Sequence, residues 1–345
     1  MNNTGAIIMS AIIACIVTAG LGFYVVPKLR ELKYGQTILE IGPKWHQSKQ
    51  GTPTMGGIMF IIGISVATVV TLLTVYLSGG SLTSSWIELT DSRDLVLVIA
   101  GLLLAVGCGI LGYADDYIKV KSKKNQGLTP LQKTVCQLLL AFFYTLTLWI
   151  SDNTTWYIPG FGFVIFKLKV WMSVVFWLLS IVIIYGCINA VNLTDGIDGL
   201  CSSTTAVVAV GFVLISYIQS YIPLGVLSAA LFGGMIGFLF WNRNPAKVFM
   251  GDTGSLFIGG LVASLGFTVK CPLLLLPIGI VYVIETLSDI IQILYFKATH
   301  GKRIFKMAPI HHHFEMCGWS ENKICIVFSI VNAIGVALGV FWETF

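Results

Sequence analysis

Apolar residues in this chain do not alternate with polar ones and do not mark one face of a helix. They form long unbroken runs separated by polar segments. The runs fall near residues 6–26, 55–77, 95–113, 131–150, 170–188, 200–219, 224–241, 255–270, 273–296 and 324–342. Each is close to the ~20 residues an α-helix needs to cross a hydrocarbon core. Without period-two alternation a transmembrane barrel is excluded. The pattern predicts an all-α polytopic membrane protein with ten transmembrane helices, one integral membrane domain over residues 1–345. The first run, Ala6–Val26, has no basic segment before it and no small-residue cleavage site after it, so it reads as a retained span.

Composition agrees. The chain is 56% hydrophobic and only 11% charged, where a soluble domain carries about a quarter charged residues. Its eight cysteines are scattered through apolar runs with no C-x-x-C pair, and read as small packing residues. Charge then orients the spans. The loops on one side hold 17 lysines and arginines, among them Lys28, Lys33, Lys44, Lys49, Lys119, Lys123, Lys124, Lys133, Arg243 and Lys302. The other side holds Arg93, Lys167, Lys169 and Lys270. Basic loops stay in the cytoplasm, which places both termini on the periplasmic face and the motif-bearing loops on the cytoplasmic one.

Those loops carry the candidate chemistry. Asp115-Asp116-Tyr-Ile-Lys119 ends the third run. Two adjacent carboxylates at a membrane boundary call for a cation, and Mg²⁺ favours carboxylate and phosphate oxygens. A solvated helix end paired to Lys119 and Lys121 is the plain alternative. Asn192-Leu-Thr-Asp195-Gly-Ile-Asp198-Gly199 spaces two acids i, i+3, on one face if helical, with Asn and Thr able to cap the next helix. Asn242 opens a stretch through Phe249-Met-Gly251-Asp252-Thr253-Gly254-Ser255, a glycine-flanked acid before a helix, suited to an anion or metal or to simple capping. His311-His312-His313 cannot all face one ion from a regular helix, which disfavours zinc and favours phosphate orientation. Lys49-Gln-Gly51-Thr-Pro-Thr54-Met-Gly-Gly57 is basic and glycine-rich. Glu285 and Asp289, acids inside the ninth run, suggest that this run bends there. Carboxylates, lysines and histidines gathered at one membrane surface point to a Mg²⁺-bridged polyanionic substrate.

In this order the motifs resemble the bacterial phospho-N-acetylmuramoyl-pentapeptide-transferases, a branch of the polyprenyl-phosphate N-acetylhexosamine-1-phosphate transferases, and the likeness covers nearly the whole chain. The resemblance implies ten helices with periplasmic termini in the inner (cytoplasmic) membrane, a bent ninth helix, a homodimer and no nucleic-acid partner. It also implies transfer of phospho-N-acetylmuramoyl-pentapeptide from UDP-N-acetylmuramoyl-pentapeptide to undecaprenyl phosphate. Carried over residue by residue, Asp252 is the Mg²⁺ ligand. Asp115 serves as base toward the lipid phosphate with Asp116 beside it, and His311 joins the catalytic group. Asn192, Asp195 and Asp198 complete an acidic cleft, and Asn242 and Phe249 hold uracil. Lys49, Thr54, Lys119, Lys133, Gln292, His311, His312 and His313 line the substrate groove. The chain departs from the family pattern at Asp289 and Cys317. A sister UDP-N-acetylglucosamine-1-phosphate transferase and an ion transporter are the competing readings.

Overall fold

The computed structural model describes residues 3–32, 49, 51–79, 94–122, 126–158 and 160–344. Lys33, Lys44, Arg93, Lys123 and Lys124 of the charge pattern, and Gln50 of the glycine-rich stretch, lie outside the described residues. In chain order the elements are α1 (Asn3–Glu31), α2 (Gly57–Leu77), α3 (Asp94–Ser122), α4 (Pro130–Ile150), β1 (Thr155–Ile158), β2 (Gly162–Ile165) and α5 (Val170–Thr194). They continue with α6 (Leu200–Ile218), α7 (Ile222–Asn242), α8 (Gly251–Thr268), α9 (Leu275–Ile278), α10 (Ile280–Ala298), α11 (Ile310–Met316) and α12 (Glu321–Glu343). Local signals start several of them. Thr129 and Gln132 form a capping box before α4, with Pro130 at its first position. The Ser320 hydroxyl accepts the Lys323 N–H at the start of α12.

Eight helices among the described residues have the length and apolar character to cross a membrane, and nine if α9 and α10 form one broken span. The run at 255–270 falls short of that standard. It is α8, whose apolar content is diluted by Asp252, Thr253, Ser255 and five glycines. Physically it can be so because α8 is buried from Thr253 to Thr268, packed mainly against α3 and α5 with α2 alongside. A helix that touches only protein does not have to be apolar for lipid, and small residues let its neighbours come close. Gly112 of α3 shows how close. A Cβ there would lie 2.1 Å from the Asp252 carbonyl oxygen. Gly112→Ala should therefore push α8 off α3 and lower stability by about 1–3 kcal/mol, the usual cost of overpacking a core. Thermal unfolding followed by tryptophan fluorescence reads this, and an unchanged midpoint would refute the close approach.

The ninth run is bent, as its acids suggested, but earlier. The axes of Pro272–Ile278 and Ile280–Ala298 differ by 83°. The break falls at Gly279, two residues after Pro277, which supplies no backbone donor. The segment between α4 and α5 holds the exception to the expected all-α fold among the described residues. It is the antiparallel pair β1–β2, with Trp156 opposite Val164. Trp156 is buried against Phe166, Phe176 and Phe267.

The helix ends sort into two sets. At one end α1 finishes near the α7–α8 connection (Arg30 to the Lys247 carbonyl, 3.5 Å), α3 meets the start of α8, and α12 starts beside Lys49. At the opposite end the start of α1 packs with Val75, Ile222 and Val226. There too Gln219 donates to Glu343 near the end of α12, at 2.6 Å. The start of α1 and the end of α12 therefore lie at the end opposite the motifs.

Candidate active site

α3 runs to Ser122, past the 113 expected, so Asp115 and Asp116 sit inside a helix and not at its end. α8 has no side-chain cap of its own at Met250. Asp116 supplies one from α3. Its carboxylate accepts from the Asp252 N–H (3.3 Å), the Thr253 N–H (2.9 Å) and the Thr253 hydroxyl (2.7 Å). An acid on a helix N-terminus satisfies orphan donors and faces the positive end of the dipole.

Asp252 is the hub. Its Oδ2 takes Lys119 Nζ at 2.7 Å and Lys133 Nζ at 3.1 Å. Its Oδ1 takes the Asn192 amide at 2.7 Å, and that amide also lies 2.7 Å from the Ser255 hydroxyl. Asp115 holds Lys119 at 2.6 Å and accepts the Leu128 N–H at 2.7 Å, tying the approach to α4 onto α3. One oxygen from each of Asp115, Asp116 and Asp252 falls within 4.8 Å of the others. Lys119 Nζ occupies a cation's place among these oxygens, 3.9 Å from Asp116.

The segment 195–199 is a turn and not a helical face. α5 ends at Thr194, and α6 starts after Gly199, whose φ of +78° suits glycine. Neither Asn192 nor Thr194 caps α6. Asn192 goes to Asp252, and the Thr194 hydroxyl donates to the Ala190 carbonyl. The two acids of the turn part company. Asp198 is saturated by Lys49 at 2.7 Å, Asn244 at 3.2 Å and the Ala246 N–H at 2.8 Å. The Asp195 carboxylate has no hydrogen-bond partner among the described residues. Its surface is partly open, yet its carboxyl stands deep among other acids. Burial pushes it well above the usual carboxylate range, and Asp252, Asp116 and Asp198 add to the rise. Hard oxygen donors from Asp115, Asp116 and Asp252, with an ammonium already lodged among them, fit a divalent cation such as Mg²⁺.

Around this centre the remaining expected residues take other posts. Lys49 lies between Asp198 and Glu321, the latter at 2.6 Å. Glu321 also accepts the Asp198 N–H. It was not anticipated, since an acid in a helix first turn looks like ordinary dipole pairing. The backbone around Thr54 is strapped to the α8 approach, with Phe249 N–H donating to the Pro53 carbonyl at 2.8 Å and Gly56 N–H to the Phe249 carbonyl at 2.9 Å. Phe249 is half-buried. The Asn242 amide is committed to Gly199, Ser202 and Val248, and the Gln292 amide to the backbone of Ile304 and Phe305. The three histidines diverge: His311 to Glu285, His312 to Glu315, and His313 accepting the Lys306 N–H.

With this geometry in hand, relatives are informative. Residues 98–270 match the family model of glycosyl transferase family 4, and residues 49–61 match signature 1 of the phospho-N-acetylmuramoyl-pentapeptide-transferases. A phospho-N-acetylmuramoyl-pentapeptide-transferase of Bacillus subtilis is 41% identical over 338 residues, 98% of each chain. That of Halalkalibacterium halodurans is 42% identical over 340 residues, 98% of this chain and 97% of its own. The chain belongs to the phospho-N-acetylmuramoyl-pentapeptide-transferase family. The family member of Carboxydothermus hydrogenoformans shares 41% over 335 residues, 96% of this chain and 97% of its own. The transferase signature holds Lys49 and Thr54, and the 98–270 match holds Asp115, Asp116, Asp195 and Asp252. Glu285, His311 and Glu321 lie beyond both.

Proposed function

We infer that this family member transfers phospho-N-acetylmuramoyl-pentapeptide from its UDP-linked form to undecaprenyl phosphate, giving lipid I and UMP. The observation that carries the reading is Asp252, shared by Lys119, Lys133 and Asn192 and set beside Asp115 and Asp116. Both reactants are phosphate anions, so their approach needs charge neutralisation in a site closed to bulk water. Asp252, with Asp115 and Asp116 in reach, would hold Mg²⁺, which when bound would supply positive charge and polarise the phosphoryl group. Lys119 and Lys133, both beside Asp252, are placed to meet the diphosphate oxygens. Asp115 faces the lipid phosphate. A phosphate monoester has its second pKa near ~6, so it needs only a weak base or a positioned acceptor. Asn192 holds the Asp252 carboxylate in register. Phe249 is assigned to the uracil face, and Asn242 holds the carbonyl of the preceding residue, Val248.

The site-bearing end is cytoplasmic in this reading, because 17 of the 21 lysines and arginines belong to its loops. The ten-span topology follows from counting α8 as a buried span and α9–α10 as a broken one. A homodimer in the cytoplasmic membrane completes the proposal. Purified protein should release UMP from UDP-N-acetylmuramoyl-pentapeptide plus undecaprenyl phosphate, and only with Mg²⁺. Release from UDP-N-acetylglucosamine instead would move the chain to the sister branch. Substrate flux without UMP would overturn the transferase reading.

A further inference from the structure

Glu285 and His311 form an interior pair of which only His311 is among the expected catalytic residues. His311 Nδ1 and Glu285 Oε2 are 2.9 Å apart, with side-chain exposures of 1% and 0%. Each group keeps one atom without a partner among the described residues, His311 Nε2 and Glu285 Oε1. Buried polar atoms left open are costly, and interiors rarely keep them without a purpose. Nε2 is not adrift. It fills the hollow beside Gly196, where a Cβ would lie 2.1 Å from it. Gly196 does not need its freedom for a positive φ, since it is absent from the residues with that geometry. Its lack of a side chain serves the imidazole. The residue before it is Asp195, the unpaired acid among Asp252, Asp116 and Asp198.

We propose that Glu285 is a positioning residue for the transfer. It fixes the His311 ring with Nδ1–H toward α10 and Nε2 under the Asp195–Gly196 turn, and the pair sets where Asp195 meets the acidic cluster. A carboxylate behind an imidazole fixes tautomer and orientation in this way at metal sites. Glu285 lies on α10 beyond the 83° bend and His311 on α11. The bend thus brings a side chain from the last third of the chain beneath a turn between α5 and α6. The kinetic part of the proposal rests on the transferase reading; the geometric part does not.

The test pairs kinetics with ¹⁵N imidazole NMR on purified protein. The chain has five histidines, so single His→Asn variants assign the signals. In the wild type, His311 Nδ1 should read as protonated, and in Glu285→Leu the proton should move to Nε2. Glu285→Leu should lower kcat about 10–100-fold, the usual span for losing such a partner, with KM for the nucleotide substrate within about threefold. Glu285→Gln, which still offers an acceptor oxygen, should keep the wild-type tautomer and recover most of kcat. Gly196→Ala, which evicts the ring, should behave like Glu285→Leu. A bare Nδ1 in the wild type overturns the proposal, and so do equal losses in the Leu and Gln variants or a raised KM with unchanged kcat. The NMR arm needs no substrate, so it stands or falls even if the transferase reading fails.

Discussion

Asp252→Ala is expected to cut Mg²⁺-dependent UMP release by about 10³-fold or more, at the upper end for loss of a preorganised charge contact. One carboxylate collects Lys119, Lys133 and Asn192 on its two oxygens. Without it the lysines lose the partner that holds them near the phosphates, Asn192 keeps only the Ser255 hydroxyl, and the cation site loses its most connected donor. The side chain is short and borders open space, so the protein should insert and fold. Asp252→Asn keeps the shape and one hydrogen bond but not the charge, and should be nearly as inactive. Turnover with and without Mg²⁺, read beside Mn²⁺ binding by paramagnetic resonance, separates lost chemistry from lost folding. Near-normal turnover in Asp252→Ala would refute its place at the centre.

Asp116→Ala should damage stability as well as rate. Its carboxylate is buried and accepts three hydrogen bonds from the first turn of α8. Removing it leaves two backbone N–H groups and a hydroxyl unpaired, at about 1–3 kcal/mol for each buried orphan. The unfolding midpoint should fall by about 5 °C or more, and turnover should fall with it as the start of α8, and Asp252 on it, drifts. Asp115→Ala serves as the comparison, since Asp115 makes no contact with α8 backbone donors. It should lose turnover with a smaller shift in midpoint. Equal midpoints for the two variants would mean that Asp116 does not cap α8.

Much of this is legible in the amino-acid sequence. Nine of the ten runs correspond to strongly apolar helices or to the bent pair, because lipid-facing segments have to advertise themselves in composition. Asp115, Asp116 and Asp252, picked out as an acid pair at a membrane boundary and a glycine-flanked acid before a helix, do come together in one cluster. What spacing could not show was partnership. Asp195 and Asp198 look alike in sequence, yet one is open and the other is saturated by Lys49, Asn244 and a backbone N–H. Asn242 and Gln292 have their amides committed to loops far along the chain or across a turn. Glu321 gave no sign at all, since its contacts with Lys49 and Asp198 span 272 and 123 residues. The start of the bend was misplaced for a related reason. Acids within a run draw the eye, while Pro277 and Gly279, eight and six residues before Glu285, interrupt the backbone.

The burial of α8 also bears on how such a chain is made. A helix opening on Asp-Thr-Gly-Ser, with glycine at nearly every turn, partitions poorly into lipid on its own. Its main supports, α3, α5 and α2, all precede it in the chain. When α8 leaves the ribosome its seat has already been synthesised, with Asp116 waiting for its first turn. Insertion of this helix is then a docking step guided by protein, and the order of synthesis supplies what its composition lacks. Moving the α8 segment ahead of α3 by circular permutation would take that advantage away while leaving every contact of the finished fold available.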